Sequence, residues 1–176
     1  MSRRRLWWLS YFMIILLVGC RSEEQDNSLI IASGDILQVE NIGDYLVTNV
    51  GVSTFGGEVF CAYETLNGMK GADGKIYVWA LCQEYYLEQE SLILGSGVSS
   101  PVALRIQEKN GHYEVIDHLV PRDGIYYGSD VQATFPENTW SQILPQGYDG
   151  INQYNYRANE LEKDIEMQAR SYYGVL

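Results

Sequence analysis

The chain is poor in the side chains that most often carry catalysis. Among 176 residues there are two histidines and three cysteines. Neither H-E-x-x-H nor C-x-x-C occurs, so the spacings that commonly build zinc sites are absent. The stretch G-S-G-V-S-S-P at residues 95–101 has three serines but lacks the G-x-S-x-G of a nucleophile elbow. Asp73 and Asp149 stand in Gly-containing segments without the alternating carboxylates of a calcium loop. No metal and no cofactor is therefore expected. Basic residues are also scarce: 12 Lys and Arg face 23 Asp and Glu, a net charge of −11. That balance excludes the electrostatic footprint of a nucleic-acid-binding protein. The apolar run at residues 6–18 has 13 residues, too short for a helix to cross a bilayer core of ~30 Å. No internal repeat and no low-complexity segment is visible.

That short run has the form of an export signal. Arg3, Arg4 and Arg5 precede it, and it ends in Leu17-Val18-Gly19-Cys20. The ending resembles the bacterial lipobox. The resemblance implies that Cys20 receives a diacylglyceryl group and that residues 1–19 are removed. A single lipid chain holds a protein at a membrane only marginally; lipobox proteins carry two or three. Without residues 1–19 the chain has nine basic and 23 acidic residues, a net charge of −14. Anionic headgroups repel such a domain, so the lipid must hold it there. The expected location is extracytoplasmic, lipid-anchored to the cell membrane or an outer membrane. Residues 20–28 read as the lipidated cysteine and a polar tether. Residues 29–176 have the length of one domain with one core.

The clearest strand is residues 75–87, K-I-Y-V-W-A-L-C-Q-E-Y-Y-L. It is rich in β-branched and aromatic residues and contains neither Gly nor Pro. Ile76, Val78, Ala80 and Cys82 point to one face, and Tyr77, Trp79, Leu81 and Tyr85 to the other. Both faces are apolar, so the strand should be central and covered on both sides. Residues 58–66 form the strand before it. Residues 92–107 form a third, with Gly95-Ser96-Gly97 marking a bulge or bend. Asn110-Gly111 is a two-residue hairpin turn. It leads to a fourth strand at residues 113–120, with Ile106 facing Val115 and Val102 facing Leu119. Residues 121–124, P-R-D-G, are a turn.

Helical segments flank these strands. Residues 29–31 suit a short strand, and residues 35–46 a helix with Ile36, Leu37, Val39, Ile42 and Leu46 inward. Short helices are expected at residues 129–135 and from Pro136 to Leu144. The longest spans residues 151–172, with Ile151, Tyr154, Ala158, Leu161, Ile165, Ala169 and Tyr172 on its apolar stripe. Gly174 suits its stop. The expected fold is α+β: a curved four-stranded antiparallel meander with the C-terminal amphipathic helix and shorter helices over one face.

With Cys20 assigned to lipid, Cys61 and Cys82 remain. Pairing the first two strands about Gly71-Ala72 sets these two opposite each other. They are then either a cross-strand disulfide or two reduced, buried cysteines. The 14 tyrosines either line a binding face or pack the edges of the layers. On the concave side of the sheet, Trp79 and Tyr85 would face a ligand near the Gly95–Gly97 bend, with Tyr126 and Tyr127 as further candidates. Asp117, His118 and Asp123 are the candidate acid–base groups of a small envelope hydrolase. His118 more readily fills a structural role, because strand neighbours point to opposite faces.

The run P-V-A-L-R-I-Q-E-K-N-G-H-Y-E-V-I-D-H-L-V-P-R-D-G-I-Y-Y-G-S-D-V-Q-A-T-F-P, followed by Trp140, resembles a module of uncharacterised bacterial lipoproteins. It is similar also to an extracytoplasmic region of some membrane metallopeptidases of the beta-lactam-sensor type. The likeness covers roughly residues 60–172. Residues 121–124, Phe135-Pro136 and the Gly-Ser-rich stretch before Pro101 are its distinctive pieces. The peptidase motif of those larger proteins is absent here. The resemblance implies a fold and a location, and no catalytic role. The expectation is a non-catalytic binding or sensing module, with the membrane lipid and an envelope protein or small ligand as partners.

Overall fold

The computed structural model describes residues 27–32, 35–66, 74–144 and 147–175. The signal segment, Cys20 and most of the tether lie outside the described residues. A six-stranded sheet organises the rest, in the order β1-β2-β6-β5-β4-β3. Its strands are β1 (Asn27–Ala32), β2 (Asp35–Glu40), β3 (Glu58–Thr65), β4 (Lys75–Glu88), β5 (Ser91–Lys109) and β6 (His112–Leu119). Helix α1 (Ile42–Asn49) joins β2 to β3, and α2 (Tyr127–Thr134), α3 (Trp140–Ile143) and α4 (Gly147–Tyr173) follow β6. The fold is α+β, and β3 to β6 form the expected antiparallel meander in chain order.

β4 is buried along ten consecutive residues, Ile76 to Tyr85. Its alternation divides two cores. Ile76, Val78, Ala80 and Cys82 join Val102, Leu104 and Ile106 of β5 and Ile42 and Leu46 of α1. Tyr77, Trp79, Leu81 and Tyr85 join Val131 and Phe135 from α2 to its end, Ile143 of α3, and Leu161, Ile165 and Ala169 of α4. Helices therefore cover both faces of the sheet, not one. The small aliphatic face is shallow enough for a single short helix. The aromatic face is deep and takes the other three.

Several expectations shift. The six-strand count exceeds the expected four because β1 and β2 form a hairpin, and β2 pairs in parallel with β6 at Val39–Tyr113 and Glu40–Glu114. Asn27 and Ser28, expected in the tether, belong to β1. Residues 35–46 are a strand and then a helix, not one helix. Asn41 stands at φ 63° between them, a left-handed backbone that Asn tolerates and a continuous helix cannot contain. Ile31–Ile36 and Ile30–Leu37 face each other across the hairpin, so these apolar residues pair locally as strands.

Asn110 and Gly111 both have positive φ, as a type I′ turn needs. Ile106 faces Val115 as expected, but Ala103, not Val102, faces Leu119. The register slips by one between Arg105 and Ile106, leaving Ile116 as the extra residue on β6. The Gly95–Gly97 stretch is a bulge inside a continuous β5: Gln83 pairs with Gly97 and Tyr85 with Leu94. Two residues, Gly95 and Ser96, thus oppose Glu84 alone. In α4 the inward stripe is Arg157, Leu161, Ile165 and Ala169, whereas Ile151 and Tyr172 are exposed. Gly174 stops the helix at φ 67°, with the Val175 N–H donating to the Arg170 carbonyl, the six-to-one bond of a Schellman ending.

Candidate functional site

Glu84 lies on the α1 side of β4, one step past the end of α1's cover, and is fully buried. Residues 51–57, which follow α1, wrap around its carboxylate. Oε1 accepts from Ser53 Oγ at 2.9 Å, the Phe55 N–H at 2.9 Å and the Gly57 N–H at 2.8 Å. Oε2 accepts from the Thr54 N–H at 2.9 Å, and from Ser96 by its Oγ at 2.7 Å and its N–H at 3.2 Å. Six donors from two segments thus surround one charge. Burial pushes the carboxyl pKa up, but the hydrogen bonds from Thr54, Ser96, Gly57 and Ser53 outweigh it and hold the group well below the usual carboxylate range. The site needs its glycines. A Cβ on Gly95 would stand 2.8 Å from Glu84 Oε2, and one on Gly57 would stand 2.2 Å from the Tyr85 carbonyl oxygen.

The clamp fixes a loop whose tip is apolar. Phe55 is 63% exposed and stacks on Tyr86 with ring centroids 6.0 Å apart. Val52, three residues earlier, and Leu94, opposite Tyr85 on β5, are also exposed, and the Val52 carbonyl oxygen lies 2.6 Å from Ser96 Oγ, sharing the one hydroxyl hydrogen with Glu84. None of the residues singled out in the sequence belongs to this site except the Gly95–Gly97 bend. Two signals in the sequence point to it: an acidic residue at an inward position of an apolar strand, and the amide-rich S-T-F-G-G at residues 53–57.

Cys61 and Cys82 form a disulfide, with Cα atoms 4.1 Å apart. They are direct cross-strand partners, in the register that pairing about Gly71-Ala72 requires. The turn centre itself lies outside the described residues. The spacing matches a non-hydrogen-bonded pair. Both residues are buried.

Trp79 and Tyr85 are buried on the α4 side, 5% and 8% exposed. Trp79 Nε1 donates to Ser99 Oγ at 3.0 Å, its ring meets Tyr154 edge-on at 5.4 Å, and the Arg157 guanidinium lies 5.2 Å from its centroid. Arg157 is itself buried and bonds Glu64 and the Gln142 carbonyl, each at 3.1 Å. Tyr126 is half exposed beneath Arg122, 4.3 Å from its ring. Tyr127 is pushed up to about 12 by burial and by Tyr154 and Asp123. These four aromatic residues serve two places: Trp79 and Tyr85 in the core, Tyr126 and Tyr127 where the chain enters α2.

Asp117 and His118 sit side by side on β6 but engage different partners. Asp117 pairs with Arg105 at 2.9 Å and accepts the His118 backbone N–H. The His118 ring bonds the Tyr45 hydroxyl of α1 through Nδ1 at 3.0 Å. Burial, then the Asp117 charge, raises the Tyr45 pKa. A cleft of about 180 Å³ beside them is lined by Lys75, Arg105, Asp117 and Leu119. Asp123 is exposed in the turn before α2, where Arg122 grips Asp130 with two guanidinium bonds of 2.8 and 2.9 Å. The structure thus does not bring Asp117, His118 and Asp123 together as one group. Among the described residues no helix is long and apolar enough to cross a membrane. No family model, curated protein or solved structure matches this chain.

Proposed function

We infer that the protein is a membrane-anchored bacterial lipoprotein whose domain binds or senses a partner at the cell envelope without catalysing a reaction. The observation that supports this reading is the Glu84 clamp. A buried carboxylate with six donors orders a surface loop and leaves Phe55 exposed at its tip. A pre-ordered loop loses little conformational entropy on binding, and an exposed aromatic on such a loop suits a contact residue. Catalysis would need a positioned nucleophile, base or metal, and Glu84 has its lone pairs committed to the loop.

Asn27, the first described residue, and the loop stand at opposite ends of the sheet. Asn27 opposes Glu40, which sits beside Glu114 and so in the row of Gln107 on β5. Tyr86, under Phe55, opposes Ile93. The span from Ile93 to Gln107 corresponds to roughly 45 Å of extended strand. Six residues separate Cys20 from Asn27, a reach of at most roughly 25 Å. With Cys20 in the membrane, the Phe55 loop is carried outward, toward a partner beyond the lipid surface.

Cross-linking of the palmitoylated protein in its own membrane, followed by recovery, should yield a reproducible partner. A folded Phe55→Ser variant should lose at least tenfold in affinity for it, as a central contact would. Turnover of an envelope substrate that a folded His118→Ala variant has lost would overturn the reading. A Cys20→Ser variant that is still processed and still incorporates palmitate would remove the anchor.

A further inference from the structure

We propose that the outer edge of β3 receives an extended, lysine- or arginine-bearing polypeptide segment as an added strand. β3 ends the sheet on one side. The close Cys61–Cys82 pair is non-hydrogen-bonded, and the Leu66 N–H donates to the Tyr77 carbonyl. Together these fix the parity: even-numbered residues of β3 bond β4, and Cys61 and Thr65 turn their peptide groups outward. One outward group already has a substitute partner. Gln168 of α4 donates from Nε2 to the Cys61 carbonyl at 3.2 Å, in the place an incoming strand's N–H would take. The side-chain amide mimics the backbone amide of such a strand.

The surroundings supply the room and the charge. A groove of about 500 Å³ runs between this edge and α4, lined by Tyr63, Asp164, Met167, Gln168 and Ser171. Asp164 stands in the groove wall. Glu160, one turn before it on α4, is already paired with Lys163 at 2.6 Å, and Glu64, 43% exposed, marks the same end through its bond to Arg157, so Asp164 is the carboxylate that the groove itself offers. The other end carries Met167, 64% exposed. A strand whose α4-facing positions, two residues apart, are cationic at one end and apolar at the other fits both: the cation toward Asp164, the apolar side chains toward Met167. The chain's net charge of −11 favours the same partner at longer range. This surface is distinct from the Phe55 loop, but its use as a docking edge rests on the binding-module reading.

A short acetylated peptide with lysine at one end and valine at the other of its every-second positions, and threonine between, titrated into the isotope-labelled protein, should shift the amide resonances of Cys61 and Thr65 and those of the groove wall. A valine–glutamate peptide should not. Gln168→Ala exposes the Cys61 carbonyl and should tighten binding roughly two- to tenfold, the worth of one hydrogen bond. Asp164→Asn should weaken it roughly two- to fivefold at low salt. Both positions face the groove, so neither substitution opens a core. Unmoved β3 amides at millimolar lysine–valine peptide, shifts centred on another surface, or looser binding by Gln168→Ala would each overturn the proposal. If the β3 amides stay unmoved while the membrane partner is still recovered, the binding-module reading stands and the strand-docking proposal falls. Peptide binding at β3 without any recoverable membrane partner has the opposite meaning.

Discussion

The two faces of β4 solve the same covering problem by different means. On the aromatic face, α4 alone has 27 residues, about 40 Å of helix. It packs along the sheet mainly by burial, through Leu161, Ile165 and Ala169, with the Arg157–Glu64 pair and the Gln168 bond to the Cys61 carbonyl at its edge. On the aliphatic face, α1 has eight residues, about 12 Å. It covers Ile76 to Cys82 and then ends. Beyond it the cover is residues 51–57, a loop with little apolar surface to bury. Its attachment is electrostatic: the backbone amides of Thr54, Phe55 and Gly57 converge on Glu84. A helix satisfies its own amides and can lie on an apolar face. A loop brings unsatisfied amides with it, and a buried carboxylate is what they require.

This contrast predicts a hierarchy of damage. Leu161→Asp on the helix-covered face should have the largest effect. It buries an unpaired charge among Ile165, Val131 and their neighbours, and should cost roughly 4 kcal/mol or more, read as a lowered midpoint in thermal or urea unfolding. Loss of the disulfide should come next. It joins residues 21 apart in sequence, and removing it as the double Cys→Ser variant should cost about 3 kcal/mol. Its thiols should resist alkylation in the unfolded but unreduced protein. Labelling there would remove the bond.

Glu84→Gln tests the loop-covered face, and its effect should be local. Hydrogen exchange at Thr54, Phe55 and Gly57 should accelerate while the α4 core keeps its protection. Acid sharpens the same comparison. Because the folded protein holds the Glu84 pKa below its unfolded value of ~4.3, the carboxylate contributes stability above that value. The contribution is lost as pH falls further. The loop should therefore loosen in acid below about pH 4, and Glu84→Gln should lack that part of the acid dependence. Equal slopes for the two proteins would show that the clamp contributes nothing to folding.

Legibility in the sequence divided along the same lines. Local signals sufficed for β4, whose alternation assigned eight residues to their correct faces, and for Asn110-Gly111, whose turn follows from backbone preference. The Cys61–Cys82 register followed from pairing the two strands about Gly71-Ala72. The Gly95–Gly97 bulge was visible, but its reason was not: it makes room for Glu84 Oε2. Glu84 itself looked like one polar residue near the end of an apolar strand. Its donors lie 27 to 31 residues earlier and on β5, so only the tertiary fold brings them together. Likewise residues 35–40 are apolar enough for helix or strand, and pairing with Leu29, Ile30 and Ile31 decided it. Arg157 was missed because a cation on a helix usually faces water. Here Trp79, Glu64 and the Gln142 carbonyl hold it inside.

The parity of the ladder also bears on where a second molecule can extend the sheet. β6 pairs with β5 only from Ala103 to Lys109, so among the described residues the first half of β5 forms a second kind of sheet edge, inside the sheet rather than at its ends β1 and β3. Trp79 and Pro101 face each other in β4 and β5, and the alternation set by Cys61–Cys82 makes theirs a non-hydrogen-bonded pair. Pro101 therefore turns its imino nitrogen toward that second edge, where a neighbouring molecule would look for an N–H. The bulge at Gly95 and Ser96 bends the same edge a few residues earlier. Intermolecular sheet growth is thus obstructed at β5 twice over, by a missing donor and by a kink.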